Sequence, residues 1–406
     1  MNSVTREPVD VFVGTQNRRG LEALFQDIFT PGETGTLTLR WQLLMETEIV
    51  DTIIIGGGLS GMYAAFLLAP AKRSLILLEA RSRVGGRILC PAYRGFHADL
   101  GPSWYWPMMN PRINVLIDAL HLKGYPQFET GLGRFQAKDG HAETIPGYPM
   151  QPPAWRIDGG MIALVDGLRA RIPQGVIRLD HPVCEIERCD DGVRLTVGRL
   201  DHEPRCRLKA SRVILALPPR LAARSILFTP ELPFALSQAM LKASTWMAGH
   251  AKFFALYDRA DWRGSGLSGQ GFSLCGPLGE IHDGSGQSDR PCGLTGFVGI
   301  PALRRKDEAA MIRAILGQLC LLYGPAAGQP LSVYYKDWAR EEFTATEYDL
   351  RSAHNHPEFL PPSGETSFWD GAVHFAGTET ADYLGGYLEG ALASAERAAA
   401  AVTRMG

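Results

Sequence analysis

Ile49 to Ala80 constrains this chain more than any other stretch: IVDTIIIGGGLSGMYAAFLLAPAKRSLILLEA. Ile49 to Ile55 is a β-branched, almost wholly apolar run, the pattern of a strand buried on both faces. Gly56, Gly58 and Gly61 follow in G-x-G-x-x-G spacing, with Leu59 and Ser60 opening a helix-forming segment that runs through Met62 to Leu68. A second buried-strand run, Ser74 to Leu78, completes a β-α-β unit. Gly56 permits the tight turn, Gly58 lets the backbone approach a pyrophosphate, and Gly61 lets the helix pack closely on the strand. The helix N-terminus offers free N–H groups and a positive dipole end to phosphate. Glu79 stands eighteen residues after Gly61, at the tip of the second strand, where a carboxylate accepts from ribose hydroxyls. The competing reading is a glycine-rich turn that binds nothing. Strand, helix and acid in register favour a dinucleotide site, but the motif by itself does not separate NAD from FAD.

At 406 residues the chain can bury a large core, most simply as two domains. A formal charge of −2 offers no basic excess for nucleic acid, and no apolar run reaches the roughly 18 residues of a membrane span. Seven scattered cysteines without a C-x-x-C pair point to free thiols and a cytoplasmic location. The N-terminus lacks the pattern of a signal peptide. Residues 1–45 carry Leu, Phe and Trp at helical spacing, as in Leu21–Phe29 and the short apolar run Leu37–Met45. This extension is expected to pack on the body or on a second copy in a homodimer.

Beyond Glu79 the chain reads Ala80-Arg81-Ser-Arg83-Val-Gly85-Gly86-Arg87. Paired glycines expose backbone N–H groups, and the arginines can neutralise phosphate. Asp99-Leu-Gly101-Pro102-Ser103-Trp104-Tyr105-Trp106 places three aromatics together, either a hydrophobic hinge or one wall of a flat pocket. GGGLSG, LEARSRVGGR and DLGPSW together closely resemble the flavin-dependent amine oxidases related to monoamine and polyamine oxidases. The resemblance implies FAD, gripped by Glu79, Ala80, Arg81, Gly85, Gly86 and Arg87, with Gly101 to Trp104 at the same site. It implies an α/β fold: a Rossmann-like FAD-binding domain of glutathione-reductase type and an α+β substrate domain with a mixed sheet. The expected FAD-binding segments are 46–124, 157–225 and 346–406; the expected substrate-binding segments are 125–156 and 226–345.

Other matches follow the chain. Ile157-Asp-Gly159-Gly160 resembles the glycine pair before the family's middle helix, but the stretch where monoamine oxidases place a long helical part of the substrate domain has only about thirty residues here, room for at most one or two short helices. Either the active site is more open than in monoamine oxidases or the N-terminal extension replaces part of the lid. Residues 176–217 read as strands with a hairpin turn at Asp190-Asp191-Gly192, and Val183 matches the residue whose backbone meets adenine. Trp246 to Tyr257 is strand-like, Gly264 to Gly293 reads as loops or a hairpin, and Lys306 to Tyr323 reads as an amphipathic helix. Lys252, in the first of these, is an edge lysine reaching water or, by resemblance, the lysine that holds a water at flavin N5.

Lys336 to Tyr348 resembles the family's tryptophan segment, with Trp338 at the flavin. Glu347 stands where animal monoamine oxidases carry the cysteine bonded to flavin, so non-covalent FAD is expected. Tyr348 and Tyr387 match the two tyrosines of the family's aromatic cage. In the closing FAGTET…GYLEGA stretch, the resemblance puts Gly377 and Glu379 near the ribityl-pyrophosphate, and Gly386, Tyr387, Leu388 and Ala391 near the isoalloxazine. His354-Asn-His356 could ligate a metal but lacks a third ligand nearby, so no metal site is expected.

The implied reaction is oxidation of an amine to an imine with dioxygen reduced to peroxide, and Lys252, Tyr348 and Tyr387 are the candidate catalytic residues. Related amino-acid oxidases carry an arginine after D-L-G-x. Its absence here points to an aryl or alkyl amine without an α-carboxylate. The alternatives are a flavin dehydrogenase or desaturase serving an electron carrier, and a flavin-binding scaffold.

Overall fold

The computed structural model describes residues 48–71, 73–287, 290–351 and 366–404. The expected Leu21–Phe29 and Leu37–Met45 segments and the His354/His356 pair lie outside the described residues. A nine-stranded sheet organises the first half of the architecture. Its centre is the strand Glu48–Ile55, paired in parallel with Leu75–Leu78 on one side and Cys206–Leu215 on the other. Period-two alternation along these strands feeds two cores. Ile54, Leu77 and Ile214 face the helices Leu59–Leu68, Ile162–Arg169 and Leu388–Arg404. Ile53, Ile55, Ile76, Leu78 and Leu215 face the opposite layer with Leu195 and Phe375.

Because the central strand has one neighbour from just downstream and one from far along the chain, the strand order reverses at Ile55. Ligands of open α/β sheets bind outside the carboxyl ends of strands at such a point. Gly56, Glu79 and Ala216, which follow the three strands, all line one cavity.

A second, seven-stranded sheet lies later in the chain, running Ser332–Asp337, Ala251–Tyr257, Cys292–Val298, Leu278–Asp283, Leu267–Ser273, Leu132–Gln136, Ala142–Ile145. Its pairings are antiparallel except where Leu267–Ser273 meets Leu132–Gln136, so the sheet is mixed. The helix Glu308–Tyr323 packs Ile315, Leu319 and Leu322 onto it, and Asp307 caps that helix by accepting from Ala310 N at 2.8 Å. No described helix is long and apolar enough to cross a membrane.

Several local expectations change. The stretch from Gly124 to Ile157 holds four short strands and no helix: two add to the seven-stranded sheet and two pair with each other. A period-two run as short as LGRFQ is legible only beside the strand that completes its hydrogen bonds. The Trp246–Tyr257 strand begins only at Ala251, with a turn before it. Pro218 and Pro219 do more than stop a strand, since they begin the helix Pro219–Ser225 and the strand itself ends at Leu215. The Asp190-Asp191-Gly192 hairpin and the Leu267–Asp283 hairpin form as expected.

Candidate active site

The helix Leu59–Leu68 starts at Gly58 with no side chain capping it, so its first N–H groups are left for a ligand. Gly61 sits so close to the preceding strand that a Cβ would lie 1.9 Å from the Gly56 carbonyl oxygen. Gly58 instead borders the cavity, and nothing lies within 3.9 Å of where its Cβ would be. Glu79 is buried and accepts from Gly57 N at 2.7 Å and from Arg81 N at 2.9 Å, locking the glycine loop to the second strand. Arg83 turns inward and donates to the carbonyls of Val84, Gly86 and Ile88, which shapes the paired-glycine loop from beneath. Arg81 bonds Glu341 and Thr344. Arg87 forms a two-pronged pair with the fully buried Glu379, at 2.6 and 3.1 Å.

From this end the cavity, about 320 Å3, continues to an aromatic end. Asp99, held by Arg156 at 3.1 Å and by Met161 N at 2.9 Å, fixes the start of the Gly101–Trp106 segment. Trp104 donates from Nε1 to Gln127 at 2.7 Å and meets Phe297 and His282 edge-on or tilted. Trp338 donates to the Leu100 carbonyl at 2.9 Å. Lys252 is 3% exposed. Its ammonium donates to the Gly101 carbonyl at 2.7 Å and to the Ser103 hydroxyl, between the rings of Trp104 and Phe297 at 5.5 and 5.2 Å. Burial pulls its pKa from 10.5 down to about 8. The edge reading of this lysine is therefore excluded: it reaches no water-facing rim.

The cavity brings together Gly56, Gly58, Leu59, Ser60, Glu79, Arg81, Gly85, Gly86, Arg87, Gly101 to Trp104, Lys252, Trp338, Gly377, Gly386 to Leu388 and Ala391. Gly61, Ala80, Val183, Glu379 and Tyr348 are not among its lining residues. Tyr348 is 51% exposed, with the Arg224 guanidinium 5.6 Å from its ring centre. Its neighbours fix the turn, for Asp349 accepts from Thr346 and pairs with Arg220, while Glu347 pairs with Arg224. Tyr387 lines the cavity with Trp106 and Trp246, its centroid 6.4 and 6.1 Å from theirs.

Of the Trp104-Tyr105-Trp106 run, Trp104 and Trp106 line the cavity and Tyr105 is buried outside its lining; sequence reasoning missed Trp246, His250, Phe297, Phe343 and the Ala216–Pro218 turn. The last had a signal: it follows a buried strand beside the glycine loop's own strand. Phe297 had none, because only the pairing Lys252↔Phe297 brings it to the site.

The crevice at the strand ends, with uncapped helix N–H groups and charge-bearing loops around it, is that of a Rossmann-like dinucleotide-binding domain. The chain belongs to the flavin-containing amine oxidoreductases, whose family model matches residues 134–403; a Rossmann-like NAD(P)-binding model matches residues 54–120. It is 25% identical to putrescine oxidase of Kocuria rosea over 75% of this chain and 86% of that protein. It is 24% identical to flavin-containing amine oxidase A of Equus caballus, over 87% of this chain and 85% of that one. Cyclohexylamine oxidase of Brevibacterium oxydans has the same fold, with a TM-score of 0.73 at 22% identity over 88% of this chain and 99% of that one. The cofactor is FAD. Glu347, a carboxylate paired at the surface, offers no thiol for a flavin thioether, and the FAD is held non-covalently.

Proposed function

We propose that this chain oxidises an aryl or alkyl amine lacking an α-carboxylate to an imine, with dioxygen as electron acceptor and hydrogen peroxide as product. Residues 46–124, 157–225 and 346–406 hold the cofactor in this reading, and residues 125–156 and 226–345 shape the substrate end. The observation that carries it is the buried Lys252 between aromatic rings at one end of a cavity whose other end is a dinucleotide cradle.

Bound FAD supplies a two-electron acceptor for the hydride equivalent on the amine-bearing carbon. Gly58 and the first turn of the Leu59–Leu68 helix face its diphosphate, Glu79 its ribose, and Arg81 and Arg87 its charge. Val183 meets adenine in this reading, although it does not border the cavity. Lys252 holds a water near the reacting carbon, with Ser103 and Gly101 fixing the direction of its remaining N–H. Tyr387 supplies a ring face that aligns the amine, and the rings exclude bulk water. Tyr348, on the surface beside Arg224 and not among the residues lining the cavity, has no part in the chemistry of this reading. The segment Pro102–Trp104 carries no arginine to receive the carboxylate of a free amino acid. Seven free cysteines support a cytoplasmic setting.

The test is anaerobic mixing of the purified holoprotein with benzylamine, phenethylamine, an indolylethylamine, putrescine and L-amino acids. Bleaching of the flavin by an aryl or alkyl amine, peroxide on admitting air, and a rate that rises with pH as the amine loses its proton are expected. Bleaching without peroxide assigns a dehydrogenase, and no bleaching by any amine overturns the reading.

A further inference from the structure

We propose that Trp246 is a specificity-determining residue, the ring that faces Tyr387 and receives the apolar part of the amine. This rests on the amine-oxidising reading and names a determinant of its substrate. Three observations converge on it. Trp246 and Tyr387 both line the cavity, with ring centroids 6.1 Å apart and planes 39° apart, and Trp106 meets Tyr387 edge-on at 80°. Gly386 has a φ of 82°, and a Cβ there would lie 2.9 Å from Trp246 Cβ and Cγ, so the glycine admits the tryptophan. The peptide of Trp246 is clamped as well: its carbonyl accepts from Arg87 Nη1 at 3.3 Å and its N–H donates to Glu379 Oε1 at 3.4 Å. The ion pair at the diphosphate end therefore fixes the wall at the amine end.

The wall selects by shape and polarity. Tyr387, Trp106 and Trp246 present neutral ring faces and edges, which suit a flat aryl or cycloalkyl group. Among the described residues lining the cavity the one carboxylate is Glu79, whose oxygens already accept from Gly57 and Arg81. A second ammonium, as on a diamine, meets no counter-charge there, so the class is a monoamine with a bulky apolar group.

The experiment titrates holoprotein with α,α-dimethylbenzylamine, which has no hydrogen on its amine carbon and cannot be oxidised, and follows the flavin absorption band. Trp246→Leu is expected to weaken binding about tenfold and Trp246→Phe about threefold, with Tyr348→Ala within twofold of the wild type. Wild-type affinity in Trp246→Leu, or a larger loss in Tyr348→Ala, overturns the assignment. Should Trp246→Leu fail to retain flavin, Trp246→Phe keeps a ring against Gly386, and a loss no larger than that of Tyr348→Ala then overturns it. If wild-type protein binds the analogue while no amine bleaches its flavin, the oxidation reading fails and this one stands.

Discussion

The end of the cavity at the glycine loop draws on backbone and glycines, and the aromatic end on side chains. At the first, helix N–H groups and closely approaching glycines do the work, and most of it comes from one span, Gly56 to Arg87. At the second, Trp104, Trp106, Trp246, Lys252, Phe297 and Tyr387 arrive from four separate regions of the chain. A backbone cradle tolerates almost no added atom but is indifferent to which partner it holds. A side-chain wall tolerates substitution but changes its ligand. The two ends are joined by Arg87 and Glu379, whose pair clamps the peptide of Trp246.

That contrast can be broken most violently at Gly61. Gly61→Ala puts a methyl into the Gly56 carbonyl, and the helix must move off the strand; a loss of more than about 3 kcal/mol is expected in a denaturant melt. Unchanged stability would show that the helix can be re-seated cheaply. Next comes the joint between the ends. Arg87→Gln leaves the fully buried Glu379 without its cation and should cost about 3 kcal/mol, with the tryptophan emission shifted because the Trp246 peptide loses a donor.

Lys252→Met probes the amine end through pH. The folded pKa of Lys252, about 8, lies below its unfolded 10.5, so burial of the ammonium is a cost borne in full below pH 8 and relieved as the pH rises to 10.5. Relative to wild type, the methionine variant should therefore lose about 3 kcal/mol of advantage across that window, read as melting temperature against pH. A flat difference would mean that Gly101 and Ser103 compensate the charge completely. The smallest effect on the fold is expected at Gly58. Gly58→Ala should change apoprotein stability by less than about 0.5 kcal/mol while lowering flavin retention at least about tenfold, measured by flavin absorbance after gel filtration. Two glycines of one motif would then separate folding from binding.

Much of the cavity's lining was legible in the sequence, because spacing along a strand, turn and helix is a local property. The run Ile49–Ile55, the three glycines, Glu79 and the FAGTET…GYLEGA stretch declare themselves in that way. Even there the reading was incomplete. Glu389 of GYLEGA is fully buried and accepts from the amides of Arg112 and Ile113, and so ties the start of one helix to the closing helix. Nothing local could reveal that, since the partners are 276 and 277 residues apart.

Sequence by itself thus determined the strand, turn and helix of the glycine motif, which follow from period and glycine spacing, and its motifs carried the resemblance to the family, while Lys252 was left with two readings. Only the tertiary structure decided that Lys252 rests between Trp104 and Phe297, that Gly124–Ile157 supplies strands, and that Trp246 lies opposite Tyr387 while Tyr348 sits beside Arg224. The physical reason is that a ring's environment is set by strand register and by ion pairs between distant segments, and neither quantity is written in the residues next to it.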